Sequence, residues 1–174
     1  ARLKLFAAHG MEPRYYHQVV GINSRLDSMQ AAALRVKMAK LDEWNAARVQ
    51  NAARYEQMLQ DAGLDNWLTL PTAMDDQDHV WNQYTVRVPD GHRTSLRSYL
   101  AEQKIGTEIY YPVPLHRQEC FQSLGYDEGS LPVTEQASAE VLSLPIFPEL
   151  TEEQQATVVQ AIRCYCNQQG RNAA

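Results

Sequence analysis

The chain has no run of lysines or arginines and no basic excess. Its 16 Lys and Arg stand against 21 Asp and Glu, a formal charge of -5 over 174 residues. A nucleic-acid surface needs a concentrated positive patch, so this balance points away from one. No stretch approaches the roughly 18 consecutive apolar residues that span a bilayer, and Ala1-Arg2-Leu3-Lys4 lacks the apolar core of a secretory signal. An initiator Met is absent, while Leu3, Leu5 and Phe6 already sit in a helical pattern, so the chain is expected to begin partway through a longer protein. Cysteine is scarce. Cys120, Cys164 and Cys166 match neither zinc-ligand spacing nor a redox C-x-x-C pair, and they read as reduced thiols of a cytoplasmic protein. His9, His79 and His92 lie in unrelated contexts without acidic or Cys partners at ligand spacing, so no metal site is expected. A G-x-S-x-G elbow and a glycine-rich phosphate loop are both missing.

What is present is an ordinary globular composition, 44% hydrophobic and 21% charged, with enough chain for a buried core. Residues 1–9 read as the end of a helix stopped at Gly10, and 11–22 as a connector. From Leu26 to about Ala62 neither Pro nor Gly occurs. Leu34, Met38, Leu41 and Trp44 recur at three- and four-residue spacing, resumed at Tyr55 and Leu59. One helix of that span, roughly 55 Å long, would bridge two layers or two subunits. Beyond Gly63 the pattern predicts strands around 68–70, 80–88 and 107–111. It predicts helices from Thr94 or Ser95 to Gln103, from His116 to Gly125, and from Thr134 to Ser143. A last helix opens on the capping box Thr151-x-x-Gln154 and runs to about Asn167. This describes a small α+β or α/β layer domain.

Two segments could carry chemistry. Gly21-Ile22-Asn23-Ser24-Arg25-Leu26-Asp27 precedes the long helix, where free N–H groups and the helix dipole favour an anion. Asn23 and Arg25 would extend that into a phosphate or carboxylate site. The same residues also suit a plain helix start, with Ser24 as cap, Asp27 completing the box, and polar loop groups around them. Tyr110-Tyr111-Pro112-Val113-Pro114-Leu115-His116 is held extended by its prolines and could present phenols and an imidazole to a cleft. It equally suits an aromatic core pair beside a surface histidine. Tyr15-Tyr16-His17 is a similar cluster.

Taken in order, these segments resemble the DegT/StrS-type sugar aminotransferases, which are fold type I pyridoxal phosphate (PLP) enzymes. The resemblance rests on Tyr16-His17, the 21–27 segment, Gln30-Ala31-Ala32, Lys37-Met38-Ala39-Lys40-Leu41, Arg48 and Ala53-Arg54-Tyr55. It continues through 110–116, Leu124-Gly125-Tyr126, Pro132, Glu135, Leu142-Ser143-Leu144-Pro145 and Pro148. It implies an α/β fold, the C-terminal part of such an enzyme: a tail of the PLP-binding domain and connector over 1–25, a linking helix over 26–62, and a small α/β domain over 63–174. It implies transfer of an amino group from an amino acid, usually glutamate, to a keto group of a nucleotide-linked sugar, in a cytoplasmic homodimer with a shared active site and a place in polysaccharide or O-antigen biosynthesis. Asn23 would reach the partner subunit's PLP phosphate and Arg25 would support the cofactor or a substrate anion. Tyr111, His116 and His17 would line the sugar-nucleotide side. The Asn23-Ser24-Arg25 variant leans towards 3-keto sugars. The family's lysine, which holds PLP as a Schiff base, sits in a Ser-rich segment that Lys4, Lys37, Lys40 and Lys104 do not match, so it is expected upstream and this portion alone should be inactive. The resemblance leaves two other readings open: a catalytically inactive relative serving as a dimerising or regulatory module, and a sugar dehydratase that uses His in place of the lysine.

Overall fold

A computed structural model describes residues 2–23, 27–74, 78–89 and 91–172. The chain divides into two compact units, Ala1–Ala39 with Tyr111–Ala139 and Lys40–Tyr110 with Glu140–Ala174. The units are therefore interleaved along the chain.

The second unit holds the hydrophobic core. Helix α3 (Leu41–Asp61) buries Asn51, Ala52, Tyr55 and Leu59, one stripe at helical spacing. Helix α6 (Glu152–Asn172) answers with Gln155, Val158, Val159, Ile162 and Tyr165. Its start is the predicted capping box: the Thr151 N–H donates to Gln154 Oε1 at 3.0 Å, and the Gln154 N–H donates to Thr151 Oγ1 at 3.2 Å. The same core includes an antiparallel pair, β1 (Tyr84–Arg87) and β2 (Val141–Leu144), with Val86 opposite Leu142. Tyr84, Val86, Leu142 and Leu144 face the core, while Thr85 and Ser143 share a 2.8 Å hydroxyl contact on the other face. Single bridges flank the pair, Thr69 on Arg87 and Glu108 on Ser143.

A buried polar network locks α3 to α6. Gln155, fully buried, donates to the Asn51 carbonyl at 2.8 Å and accepts from Arg54 at 2.8 Å. Asn51 in turn donates to the Phe147 carbonyl at 2.9 Å, so the loop before α6 is fastened to the same point. Each polar side chain here meets a partner, the condition for burying it at low cost.

Several local expectations change. The helical run over 26–62 is divided into α2 (Ser28–Met38) and α3, with a turn at Ala39–Lys40, and the two helices belong to different units. The apolar stripe is buried only from Asn51 onward; Leu34 and Met38 stay 50% and 63% exposed. Helix α5 (Pro132–Glu140) ends before the predicted Ser143, because Val141–Leu144 instead pairs with β1 and buries Leu142 and Leu144. The 107–111 strand shrinks to one bridge, since Glu108 turns its own carboxylate onto the Ile109 N–H at 3.1 Å and removes that donor from any ladder. Helix α4 (Arg93–Glu102) has His92, not Thr94 or Ser95, at its N-cap position, without a side-chain cap bond, and the Ser95 hydroxyl donates back to the His92 carbonyl at 3.0 Å. The segment after His116 is 3-10 over Leu115–Arg117 and Glu119–Leu124. All three cysteines are free thiols, and burial pushes that of Cys166 up to about 11.

The first unit is built differently. Among its described residues no apolar side chain is fully buried, and its two buried side chains are polar, His116 and Gln118. Helix α1 (Arg2–Ala7) runs into a tight backbone crossing at Gly10 and Gly21. A Cβ on Gly21 would lie 2.3 Å from the Gly10 nitrogen, and one on Gly10, where φ is +68°, would lie 1.8 Å from the Val19 carbonyl oxygen. Only glycine fits either place. The crossing is sealed by the Ile22 N–H donating to the Phe6 carbonyl at 2.8 Å and the His9 N–H donating to the Ile22 carbonyl at 3.1 Å.

Candidate functional site

The Gly10–Gly21 crossing delivers two consequences. It pairs Asn23 with Ala8 through a backbone bridge, which sets an exposed carboxamide on a braced segment. It also folds 9–17 back on itself, so His17 Nδ1 lies 2.8 Å from the His9 carbonyl oxygen. An N–H at Nδ1 donates there, and the neutral ring then keeps its lone pair on Nε2.

Helix α2 begins later than the 21–27 segment suggests. Asp27 is its N-cap: the Gln30 N–H donates to Asp27 Oδ1 at 2.8 Å and the Asp27 N–H to Gln30 Oε1 at 3.3 Å. The cap carboxylate therefore occupies part of the first turn, and Asn23 stands four residues before it rather than at an open helix end. Ser24 and Arg25 lie outside the described residues.

Beside this crossing is a cavity of about 590 Å3 in the first unit. Its wall includes His9, Arg14, Tyr15, His17, Tyr111 and Gln118, with no carboxylate among the described residues that line it. Tyr15 and Tyr111 meet edge to face with centroids 5.3 Å apart, and the Arg14 guanidinium lies 4.6 Å from the Tyr15 ring centroid. A guanidinium, two imidazoles and two phenols in one wall suit an anionic, partly flat ligand.

Gln118 holds this wall together. It is 3% exposed, accepts the His17 N–H at 2.9 Å, and donates to the Tyr15 and Val113 carbonyls at 3.0 and 3.3 Å. One side chain thus ties the 15–17 turn to the 113–118 loop.

His17 and Tyr111 both line this cavity. His116 does not form part of its wall. It is 7% exposed, with Nε2 3.0 Å from Glu135 Oε1 and its ring edge-on to Tyr126. The arrangement inverts the alternative of an aromatic core pair beside a surface histidine, because Tyr111 is 54% exposed and His116 is the buried member. Glu135 also accepts the Gly129 N–H at 2.8 Å and the Leu131 N–H at 3.2 Å. The Gly129 contact above all, then Leu131 and His116, holds its carboxyl below the ordinary value against an opposing desolvation. His9, set apart in the sequence, joins His17 in the wall. Tyr15 carried a signal through its aromatic cluster. Arg14 and Gln118 carried none, since a lone arginine or glutamine in a loop looks like any surface residue.

The DegT/DnrJ/EryC1/StrS aminotransferase family model matches residues 1–163, and the chain belongs to this family. A pleiotropic regulatory protein of Geobacillus stearothermophilus is 50% identical over 161 residues, 92% of this chain and 42% of its own length. The dTDP-3-amino-3,4,6-trideoxy-alpha-D-glucose transaminase of Streptomyces venezuelae is 43% identical over 162 residues, 93% of this chain and 41% of its own. Among solved structures, S. venezuelae DesV in complex with a ketimine intermediate aligns with a TM-score of 0.73 at 42% identity, over 94% of this chain and 43% of that one. The chain thus spans about two fifths of the length of the curated relatives it matches. The fold is a partial α/β domain of a DegT/StrS-type PLP aminotransferase.

The family depends on PLP. The described residues fit one part of that role. Asn23 is exposed beside its bridge to Ala8, and its side-chain amide is suited to a phosphate oxygen. Lys4, Lys37, Lys40 and Lys104 are all exposed, and none lines a described cavity. Lys40 is paired with Glu43 at 2.7 Å. No covalent step is assigned to them. Among the described residues no group of His, Cys, Asp and Glu could hold a metal ion, and no helix is long and apolar enough to cross a membrane.

Proposed function

We propose that the chain is the C-terminal portion of a PLP-dependent aminotransferase that moves an amino group from an amino acid, glutamate by family resemblance, to a keto group of a nucleotide-linked sugar. The cavity bounded by Arg14, Tyr15, His17 and Tyr111 carries this reading, because its cation and phenols match the anionic and flat parts of a sugar nucleotide. The S. venezuelae relative's name and the Asn23-Ser24-Arg25 pattern both support amination at position 3.

The cofactor, when bound, carries the amino group between donor and acceptor. This chain's residues bind and orient. Asn23, with Arg25, contacts the PLP phosphate of the partner subunit in a homodimer. Tyr111 and His17 position the sugar nucleotide, and His17 Nε2 accepts a substrate hydroxyl while Nδ1 is spoken for by the His9 carbonyl. His116, fixed by Glu135, braces the 113–118 loop and touches no substrate. The Schiff-base lysine belongs to the preceding part of a longer chain, and the protein works in the cytoplasm.

The test uses the full-length protein with PLP, glutamate and a panel of 3-keto and 4-keto nucleotide sugars, followed by mass spectrometry for the amino sugar. Product from a 3-keto sugar is expected, and no product from any member would refute the reaction. Asn23→Ala should lower PLP retention on gel filtration; full retention would remove its assigned contact. A second reading, a regulatory family member without transfer activity, is favoured by the name of the Geobacillus relative. It predicts a stable full-length dimer that retains no PLP absorbance.

A further inference from the structure

One face of α5 lines the cavity of the first unit through Thr134 and Ser138, which stand one helical turn apart. Another part of the same wall is the loop Val113, Pro114 and Leu115. Glu135 follows Thr134 on the helix, and His116 follows Leu115 on the loop. Neither belongs to the wall, yet they meet each other, with Glu135 Oε1 3.0 Å from His116 Nε2. The helix side and the loop side of the cavity are thus tied one residue away from the lining.

The same carboxylate fastens a third segment. The chain from Gly125 to Leu131 is exposed at every residue and turns at Gly125 and Gly129, where φ is +73° and +86°. Its Gly129 and Leu131 N–H groups donate to Glu135 at 2.8 and 3.2 Å. The Glu135 N–H returns to the Leu131 carbonyl at 3.0 Å, so this strap is folded back on the first turn of α5. Tyr126, within the strap, lies edge-on to the His116 ring.

The chemistry of this corner is one-sided. An ionised carboxylate only accepts, and each group facing it donates, His116 included when Nε2 carries the proton. The Gly129 N–H above all holds the carboxyl below its ordinary value, so it is ionised at neutral pH. Hydrogen bonds to a charged acceptor are roughly twice as strong as neutral ones. The strap's other charges are Asp127 and Glu128. Glu128 lies 4.0 Å from Arg117, and so long and exposed a pair contributes little. Among the described residues of this unit no apolar side chain is fully buried, so the placement of the two sides depends on polar ties of this kind.

We propose that Glu135 is a positioning residue of the cavity: through His116 and the 125–131 strap it fixes the Thr134–Ser138 face against the Val113–Leu115 loop. The proposal rests on the reading of this cavity as the nucleotide-sugar site. It gives Glu135 a part in substrate binding and none in the transfer step.

The experiment compares wild type, Glu135→Gln, His116→Gln and His116→Ala in the full-length protein, by residue-resolved hydrogen exchange and by amination kinetics. Glu135→Gln removes the charge and turns an amide N–H towards donors. Protection of the Gly129 and Leu131 amides should fall roughly 10- to 150-fold. The Arg117 and Gln118 amides, which donate to the Pro114 and Leu115 carbonyls, should lose protection with them, while Val86 of the second unit keeps its own. KM for the nucleotide sugar should rise about tenfold at unchanged kcat. His116→Gln keeps a donor for Glu135 and should stay near wild type in both measurements, whereas His116→Ala should follow Glu135→Gln. The His116 pair decides the matter if Glu135→Gln fails to fold. Unchanged protection in Glu135→Gln, lost protection at unchanged KM, or equal effects of the two His116 variants would each overturn the proposal. A wild-type protein that aminates no sugar defeats the proposed reaction instead, and the exchange data then decide alone whether Glu135 ties the two sides.

Discussion

Gln118→Leu tests how the first unit is held together. The leucine keeps most of the side-chain volume but leaves the His17 N–H and the Tyr15 and Val113 carbonyls without their present partner. An unmet, partly buried backbone group costs about 1–3 kcal/mol. Because the first unit buries no apolar side chain among its described residues, little else opposes opening there. Opening should therefore become easier by about that amount, which accelerates amide exchange at His17 by roughly 5- to 150-fold. The assay is hydrogen exchange resolved by residue on the full-length protein, with Cys120, whose N–H donates to the His17 carbonyl at 3.2 Å, as a neighbouring reporter. Val86 in the other unit, fully buried on β1, is the control. Faster exchange at His17 and Cys120 with Val86 unchanged is the expected outcome. Unchanged His17 exchange, or equal acceleration at Val86, would refute the idea of a local polar clamp.

Three further outcomes follow from the geometry. Gly21→Ala places a methyl 2.3 Å from the Gly10 nitrogen, so it should cost about 1–3 kcal/mol of overpacking; a denaturant midpoint equal to wild type would show that the crossing yields freely. Glu135 has a depressed folded pKa, so its contribution to stability is present above the unfolded glutamate value and is lost as pH falls through the folded one; carbon-detected NMR titration should find its midpoint below that of an exposed glutamate, and Glu135→Gln should flatten the acid limb of stability. Burial, and then each one's charged neighbour, raises the pKa of Tyr55 and Tyr84 above the ordinary value, so their contribution is intact below about pH 10 and disappears as pH rises through the folded pKa values. Ultraviolet titration should show these two phenols ionising only with unfolding, and Tyr55→Phe, which removes a buried hydroxyl without a hydrogen-bond partner among the described residues, should be neutral or stabilising by about 1 kcal/mol.

Legibility followed the range of the interaction. The Thr151–Gln154 cap was readable because a capping box closes within three residues. The alternation at Tyr84, Val86 and Val88 was readable because a strand with one buried face has period two. The division of the helical run at Ala39–Lys40 was not, since every residue there favours helix and the break coincides with a boundary between units. Val141–Ser143 read as the end of a helix because the strand partner of this segment lies more than fifty residues away. At the candidate site, His17 and Tyr111 stood out as members of aromatic clusters. His9, Arg14 and Gln118 were invisible because their significance lies in contacts across the chain, above all the hundred-residue span from His17 to Gln118.

The sequence by itself determined the family and some local pieces: ordered motifs over residues 1–163, the Thr151–Gln154 cap and the alternating face at 84–88. Only the tertiary structure decided which polar residues act together. It placed His116 in a buried pair with Glu135 rather than in the cavity, set Asn23 four residues ahead of the α2 cap, and made Gln118 the tie between two loops. The physical reason is that a cap or a periodic face is set by neighbours within a turn or two. A buried glutamine or histidine takes its meaning from whichever distant carbonyl, amide or carboxylate the fold brings within 3 Å.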